Sequence, residues 1–170
     1  TYGDASYMYI SAVYDSNPGP YGVRRVYLSF DLAEITDGHD ITGANIRLRS
    51  RGYGAPSGIP KVDAFKGTFD YTLYAEDFDS FTGSSLLTAA VPWDSSESYV
   101  TLTFSEDGIN YLKENVGKVV SFCLREYDHD VLDSSPVNPG DNYVMYFYGT
   151  GQGADATYDP RLTITYDTTS

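Results

Sequence analysis

Arg24-Arg25-Val26-Tyr27-Leu28-Ser29-Phe30-Asp31-Leu32 and, after a polar turn, Ile41-Thr42-Gly43-Ala44-Asn45-Ile46-Arg47-Leu48 decide the fold class. In the first run Val26, Leu28, Phe30 and Leu32 alternate with Arg25, Tyr27, Ser29 and Asp31. In the second, Ala44, Ile46 and Leu48 alternate with Asn45, Arg47 and Arg49. A period of two puts successive side chains on opposite faces of a strand, so each run has one buried and one wet face. Asp37-Gly38-His39-Asp40 between them carries turn chemistry, because Gly tolerates positive φ and Asp bonds back to its own backbone.

Working outward, the same signature recurs. Strands are expected at Tyr7–Val13, Lys61–Phe65, Val100–Phe104, Val119–Glu126, Tyr143–Tyr148 and Arg161–Tyr166, separated by Gly- and Pro-rich loops. Gly52–Gly58 is expected to be one such loop, and Tyr127–Asp141, holding Pro136 and Pro139, a long one. The stretch from Gly67 to Trp93 is the least regular, with Leu73, Phe78 and Phe81 expected to anchor it and Asp77 and Asp79 facing water. One helix stands out near 106–114. Ser105 is its N-cap, Glu106 and Asp107 lie near its positive end, Ile109 and Leu112 share its buried side, and Gly117 ends it. The expectation is an all-β, jelly-roll-like sandwich of antiparallel strands, a single domain over 1–166 with a polar tail at 167–170.

With 170 residues the chain is long enough for a substantial core. It carries 24 acidic against 11 basic residues, a formal charge of −13. That balance argues against nucleic acid, whose phosphates need clustered Lys and Arg. An anionic polysaccharide would be repelled as well, unless a cation or a local basic patch intervened. No apolar run reaches the length of a membrane span. The single Cys123 lies in an apolar strand and reads as a buried thiol. No Asn-x-Ser/Thr sequon occurs.

Together these pieces resemble the DNRLRE family, the disaggregatase-related repeats. The resemblance runs from Thr1-Tyr2-Gly3-Asp4 through Tyr21-Gly22, Arg24-Arg25, Leu28-x-Phe30-Asp31-Leu32 and Ile41-x-Gly43-Ala44-x-Ile46-Arg47-Leu48. It continues through Tyr99–Phe104, Gly108-Ile109-x-Tyr111-Leu112, Phe122-x-Leu124-Arg125 and Asp159–Tyr166. Such domains are similar to jelly-roll carbohydrate-binding modules and occur in secreted or surface proteins of archaea and bacteria. The resemblance therefore implies an extracellular or cell-surface address and no catalysis. The family pattern has a strand before its asparagine-tyrosine-glycine turn. This chain starts inside that turn, and three readings stand open: the chain is a fragment, the fold does without that strand, or a second copy fills the open sheet edge beside Thr1, Tyr2 and Gly3 by strand addition.

No catalytic set is legible. His39 and His129 lie in turn-like segments without a nucleophile-elbow serine, and 24 acids always supply a carboxylate pair on paper. No cofactor is required by this reading, but Asp128, Asp130, Asp133 and Asp141 form the best candidate for a structural calcium site, since hard cations take several oxygen ligands. Trp93, Tyr127, Tyr146 and Tyr148 are the candidate rings for stacking on a sugar. Two functions stand open. The first is a structural surface protein that self-associates into a filament, sheath or array, its partner a copy of itself; the second is a carbohydrate-binding module, its partner a neutral glycan.

Overall fold

The computed structural model describes residues 8–14, 22–36, 39–56, 58–69, 75–93, 98–134, 136, 142–149 and 158–168. Two antiparallel sheets pack face to face as a jelly-roll-like sandwich. One is six-stranded. It holds β1 (Met8–Val13), β2 (Gly22–Arg24), β4 (His39–Gly54), β8 (Tyr99–Thr103), β10 (Asn142–Phe147) and β11 (Arg161–Thr168), in the order β11-β4-β10-β1-β2 with β8 also paired to β4. The other is five-stranded, with β3 (Val26–Asp31), β9 (Val119–Glu126), β5 (Lys61–Gly67) and β6 (Phe81–Thr82) in that order and β7 (Val91–Pro92) paired to β5.

The two runs that set the fold class lie in opposite sheets. β3 pairs with β9, Val26 opposite Leu124, whereas the second run belongs to β4. Each sends its apolar alternates inward, so Val26 and Leu28 meet Ile46 and Leu48 in one core. β4 is longer than its alternation suggested. It begins at His39, inside the expected turn, and runs 16 residues to Gly54, into the expected loop. Two features let it do so. Its partners change along its length, from β11 and β8 to β10, and a register shift between Tyr146 and Phe147 lets it bend where Gly52 adopts φ 104°.

Aromatic rings fill the space between the sheets. Phe122 sits at the centre, stacked on Phe104 at 5.3 Å and edge-on to Tyr111 at 5.8 Å. Helix α1 (Glu106–Lys113) packs against β4. Ser105 caps it as expected, its hydroxyl accepting from Gly108 N and donating to the Leu86 carbonyl. Only glycine fits at 108, because a Cβ there would stand 2.5 Å from Leu86 O. Gly117, at φ 72°, takes the left-handed turn after the helix.

Among the described residues of the irregular stretch, Leu86, Leu87 and Trp93 are buried in the core and Val91 packs against it. Phe78 is 43% exposed, Asp79 pairs with Arg25, and Leu73 lies outside the described residues. The long loop expected after β9 opens with a single π-helical turn, Tyr127–Val131. Buried Glu126 shapes it by accepting from Asp128 N, His129 N and His129 Nδ1.

Candidate functional site

The outward alternates of β4 are Arg47, Arg49 and, at the bulge, Arg51. Strand pairing extends this row in both directions. Arg161 of β11 and Thr101 of β8 lie directly opposite Arg47, and Tyr99 of β8 opposite Arg49. Directly paired residues point to the same face of a sheet, so these side chains share the outer surface of the six-stranded sheet. On β10 Tyr146 points outward while Met145 and Phe147 are buried, as period two requires, and Tyr148, just after the strand, continues the outward side. Tyr9 of β1 is paired with Tyr146, their rings 6.2 Å apart, and Arg24 of β2 lies 4.8 Å over the Tyr9 ring.

Arginine and tyrosine interleave across this face. The Arg47 guanidinium lies 4.3 Å from the Tyr99 ring centre and that of Arg49 lies 5.3 Å from it. Arg49 also lies 5.5 Å from the Tyr158 ring, and Arg51 4.9 Å from that of Tyr148. Tyr148 and Tyr158 are 4.9 Å apart and nearly parallel, at 30°. Arg24, Arg47, Arg51 and Arg161 are exposed; the tyrosines and Arg49 are half-buried. Such a surface can offer ring faces, phenol hydroxyls and planar guanidinium donors to one extended ligand.

The expected stacking residues therefore separate into three groups. Tyr146 and Tyr148 stand on this face. Tyr127 begins the π turn, beside Lys61 at 5.5 Å. Trp93 is fully buried, 5.9 Å from Phe147, and offers no ring face to a ligand, which corrects its assignment. It belongs to the core cluster, and Trp93 N donates to the Pro60 carbonyl. Arg24, Arg47, Arg49, Arg51, Arg161, Tyr9, Tyr99 and Tyr158 were not singled out by sequence. The alternation marked Arg47 and Arg49 as the wet side of a strand, but only strand pairing shows that five arginines share one face.

Of the aspartates expected to hold calcium, Asp128, Asp130 and Asp133 are among the described residues, and these three are not grouped to hold a metal ion. Asp130 is buried, its carboxylate receiving Arg25 at 2.6 and 2.9 Å and Arg125 at 2.8 and 3.1 Å. Asp128 pairs with Lys61 at 3.1 Å, and Asp133 is an exposed residue at φ 51°. Asp141, like Thr1, Tyr2 and Gly3, lies outside the described residues. Among the described residues no group of three or more His, Cys, Asp or Glu side chains is placed to hold a metal ion.

Around Asp130 the titration is set by opposing effects. Burial works against its ionisation, but the hydrogen bonds from Arg25 and Arg125 outweigh it and hold the carboxyl below its usual range. Asp63, accepting from Ser85 and Ala64 N, goes the other way, because burial pushes its carboxyl up. The Cys123 thiol is pushed up to about 11, chiefly by burial, and stays protonated. His39 Nδ1 accepts from Thr36 N, and the His129 ring lies on that of Tyr143 at 4.0 Å. No family model matches the chain, and no curated protein matches it. No helix among the described residues is long and apolar enough to cross a membrane.

Proposed function

We propose that this chain is a non-catalytic carbohydrate-binding β-sandwich of the cell exterior, and that its binding surface is the outer face of the six-stranded sheet. The observation that carries the reading is the row of half-buried tyrosines, Tyr9, Tyr146, Tyr148, Tyr99 and Tyr158, held on one face by strand register. Rigid aromatic side chains give large contact area at small entropic cost, and their hydroxyls reach sugar hydroxyls. The resemblance to the DNRLRE family supports the same address and the same class of ligand. The test is affinity electrophoresis through gels containing soluble polysaccharides. Retardation that is lost in Tyr146→Ala and Tyr148→Ala, with melting unchanged, supports the reading; free migration in every gel refutes it.

Self-association is the second reading, and β11 favours it. This eight-residue strand pairs with β4 on one edge, and among the described residues no strand pairs with its other edge. A long edge can accept a strand from another copy through main-chain hydrogen bonds. Light scattering that gives only monomers across a wide concentration range would refute this.

A further inference from the structure

Resting on the binding reading, we propose that the face takes an anionic polysaccharide, its repeating carboxylates or sulfates held by the arginine row. Five of the chain's 11 basic residues, Arg24, Arg47, Arg49, Arg51 and Arg161, stand on this one sheet face. All five are arginines. The four lysines lie elsewhere, on β5, on α1 and in the turn after it. Arginine is the residue whose planar fork matches a carboxylate or sulfate with two parallel hydrogen bonds. In a chain of net charge −13, gathering five guanidiniums on one face concentrates cations where an anionic polymer can meet them.

The way the rings are covered separates an anionic ligand from a neutral one. Tyr99 carries Arg47 at 4.3 Å, Tyr148 carries Arg51 at 4.9 Å and Tyr9 carries Arg24 at 4.8 Å. A neutral sugar that stacks on the covered face of Tyr9, Tyr99 or Tyr148 must displace a guanidinium. An anion can instead accept from guanidinium N–H groups while the cation keeps its place over the ring and loses little side-chain freedom on binding. The same covering disfavours single-stranded nucleic acid, whose bases also need open ring faces. The arginines extend from β2 through β4 to β11, a spread that suits a polymer with charges at intervals and not a single small anion.

Remote carboxylates of this acidic chain still repel a polyanion. At about 0.1 M salt the Debye length is roughly 10 Å, so that repulsion is screened while contacts at the face survive. The test therefore runs at that ionic strength. Affinity electrophoresis uses gels containing polygalacturonate, dextran sulfate, unmodified dextran or a neutral β-glucan, with a poly(dT) oligonucleotide examined by gel shift. The variants are Arg47→Ala/Arg161→Ala, Arg47→Lys/Arg161→Lys and, as a charge control on α1, Lys113→Ala. Thermal melts establish that each variant is folded.

Retardation by polygalacturonate or dextran sulfate, weakened tenfold or more in the double alanine variant and unchanged in Lys113→Ala, supports the proposal; the two gels tell carboxylate from sulfate. Partial rescue by the double lysine variant supports charge, with the remaining deficit assigned to the lost fork. Retardation by the neutral gels alone overturns the anionic class while leaving the carbohydrate-binding reading intact. Free migration in all four gels overturns both. Equal binding of poly(dT) and polygalacturonate overturns the assignment to a polysaccharide.

Discussion

Replacing Asp130 by alanine removes the one anion between two arginines that strand register brings together. Arg25 immediately precedes Val26 and Arg125 immediately follows Leu124, and Val26 is paired with Leu124, so the two guanidiniums arrive side by side. Asp130 separates them, its side chain 3% exposed, against 8% for Arg25 and 12% for Arg125. Both guanidiniums also lie over the Phe81 ring, at 4.9 and 4.5 Å, which further excludes water. Breaking a buried ion pair from one side costs about 3–5 kcal/mol, because a charge stays buried without its counter-ion. Arg25 keeps Asp79 at 2.6 Å, so the lower end, about 3 kcal/mol, is the expected loss. For a chain of this size each kcal/mol moves the melting point by about 2–4 °C, giving a drop of roughly 6–12 °C.

The pH dependence of that loss follows from the carboxyl's direction of shift. Asp130 is held below its usual range, so its contribution is fully present above the unfolded value of about 3.9 and is lost as pH falls through the folded one. The gap between wild type and Asp130→Ala should be constant from about pH 5 to 8 and close below about pH 4. Urea denaturation at a series of pH values measures both quantities. A loss under about 1 kcal/mol at pH 7, the range of exposed pairs, would refute the reasoning, as would a gap that persists at low pH. The triple variant Arg25→Met, Arg125→Met and Asp130→Leu should recover most of the loss, since an apolar replacement leaves no charge behind.

Three further expectations follow from single sites. Asp63→Asn should keep the hydrogen bonds from Ser85 and Ala64 N, and because burial raises this carboxyl, wild-type stability falls as pH rises through its range; the variant should therefore melt at or above wild type at pH 7 with a flatter profile, and a large drop would contradict this. Gly108→Ala places a methyl 2.5 Å from Leu86 O and 2.9 Å from Phe104 Cβ, so denaturation should show a loss of about 1–3 kcal/mol despite alanine's better helix propensity. Cys123 should react with a thiol reagent only at the rate of unfolding, because it is fully buried and protonated; rapid reaction of the native protein at pH 8 would disprove that environment.

The fold class was legible because alternation is a local signal. Leu28, Phe30, Ile46 and Leu48 each announce a buried face without reference to any other strand. The helix start was equally local, fixed by Ser105 and the acidic first turn, whereas its end falls at Lys113, before Gly117. Partnership was not legible. Nothing in residues 24–48 says that β3 and β4 separate into different sheets, because both face the same core and both need the same pattern. The binding face was hidden for the same reason: Arg47, Arg161 and Tyr99 are far apart in the chain and meet only through register. Trp93 misled because a ring rich in contact area suits a core as well as a ligand. Spacing along the loop likewise does not reveal that Arg25, distant in the sequence, pairs with Asp130.

The sixteen residues of β4 also determine when this protein can fold. One stretch of the strand pairs with β11 and another with β10, about a hundred residues downstream, and β1 likewise waits for β10. Until residues 142–168 are available, the middle of the six-stranded sheet has open edges on strands that are already apolar on one side. Closing such distant contacts is entropically slow, and exposed edges invite association between incomplete chains. The five-stranded sheet, whose strands β3, β5 and β9 are all in place by Glu126, can form first and shield the shared apolar face. Refolding should accordingly be slow and concentration-sensitive, with yields set by how long β4 remains alone.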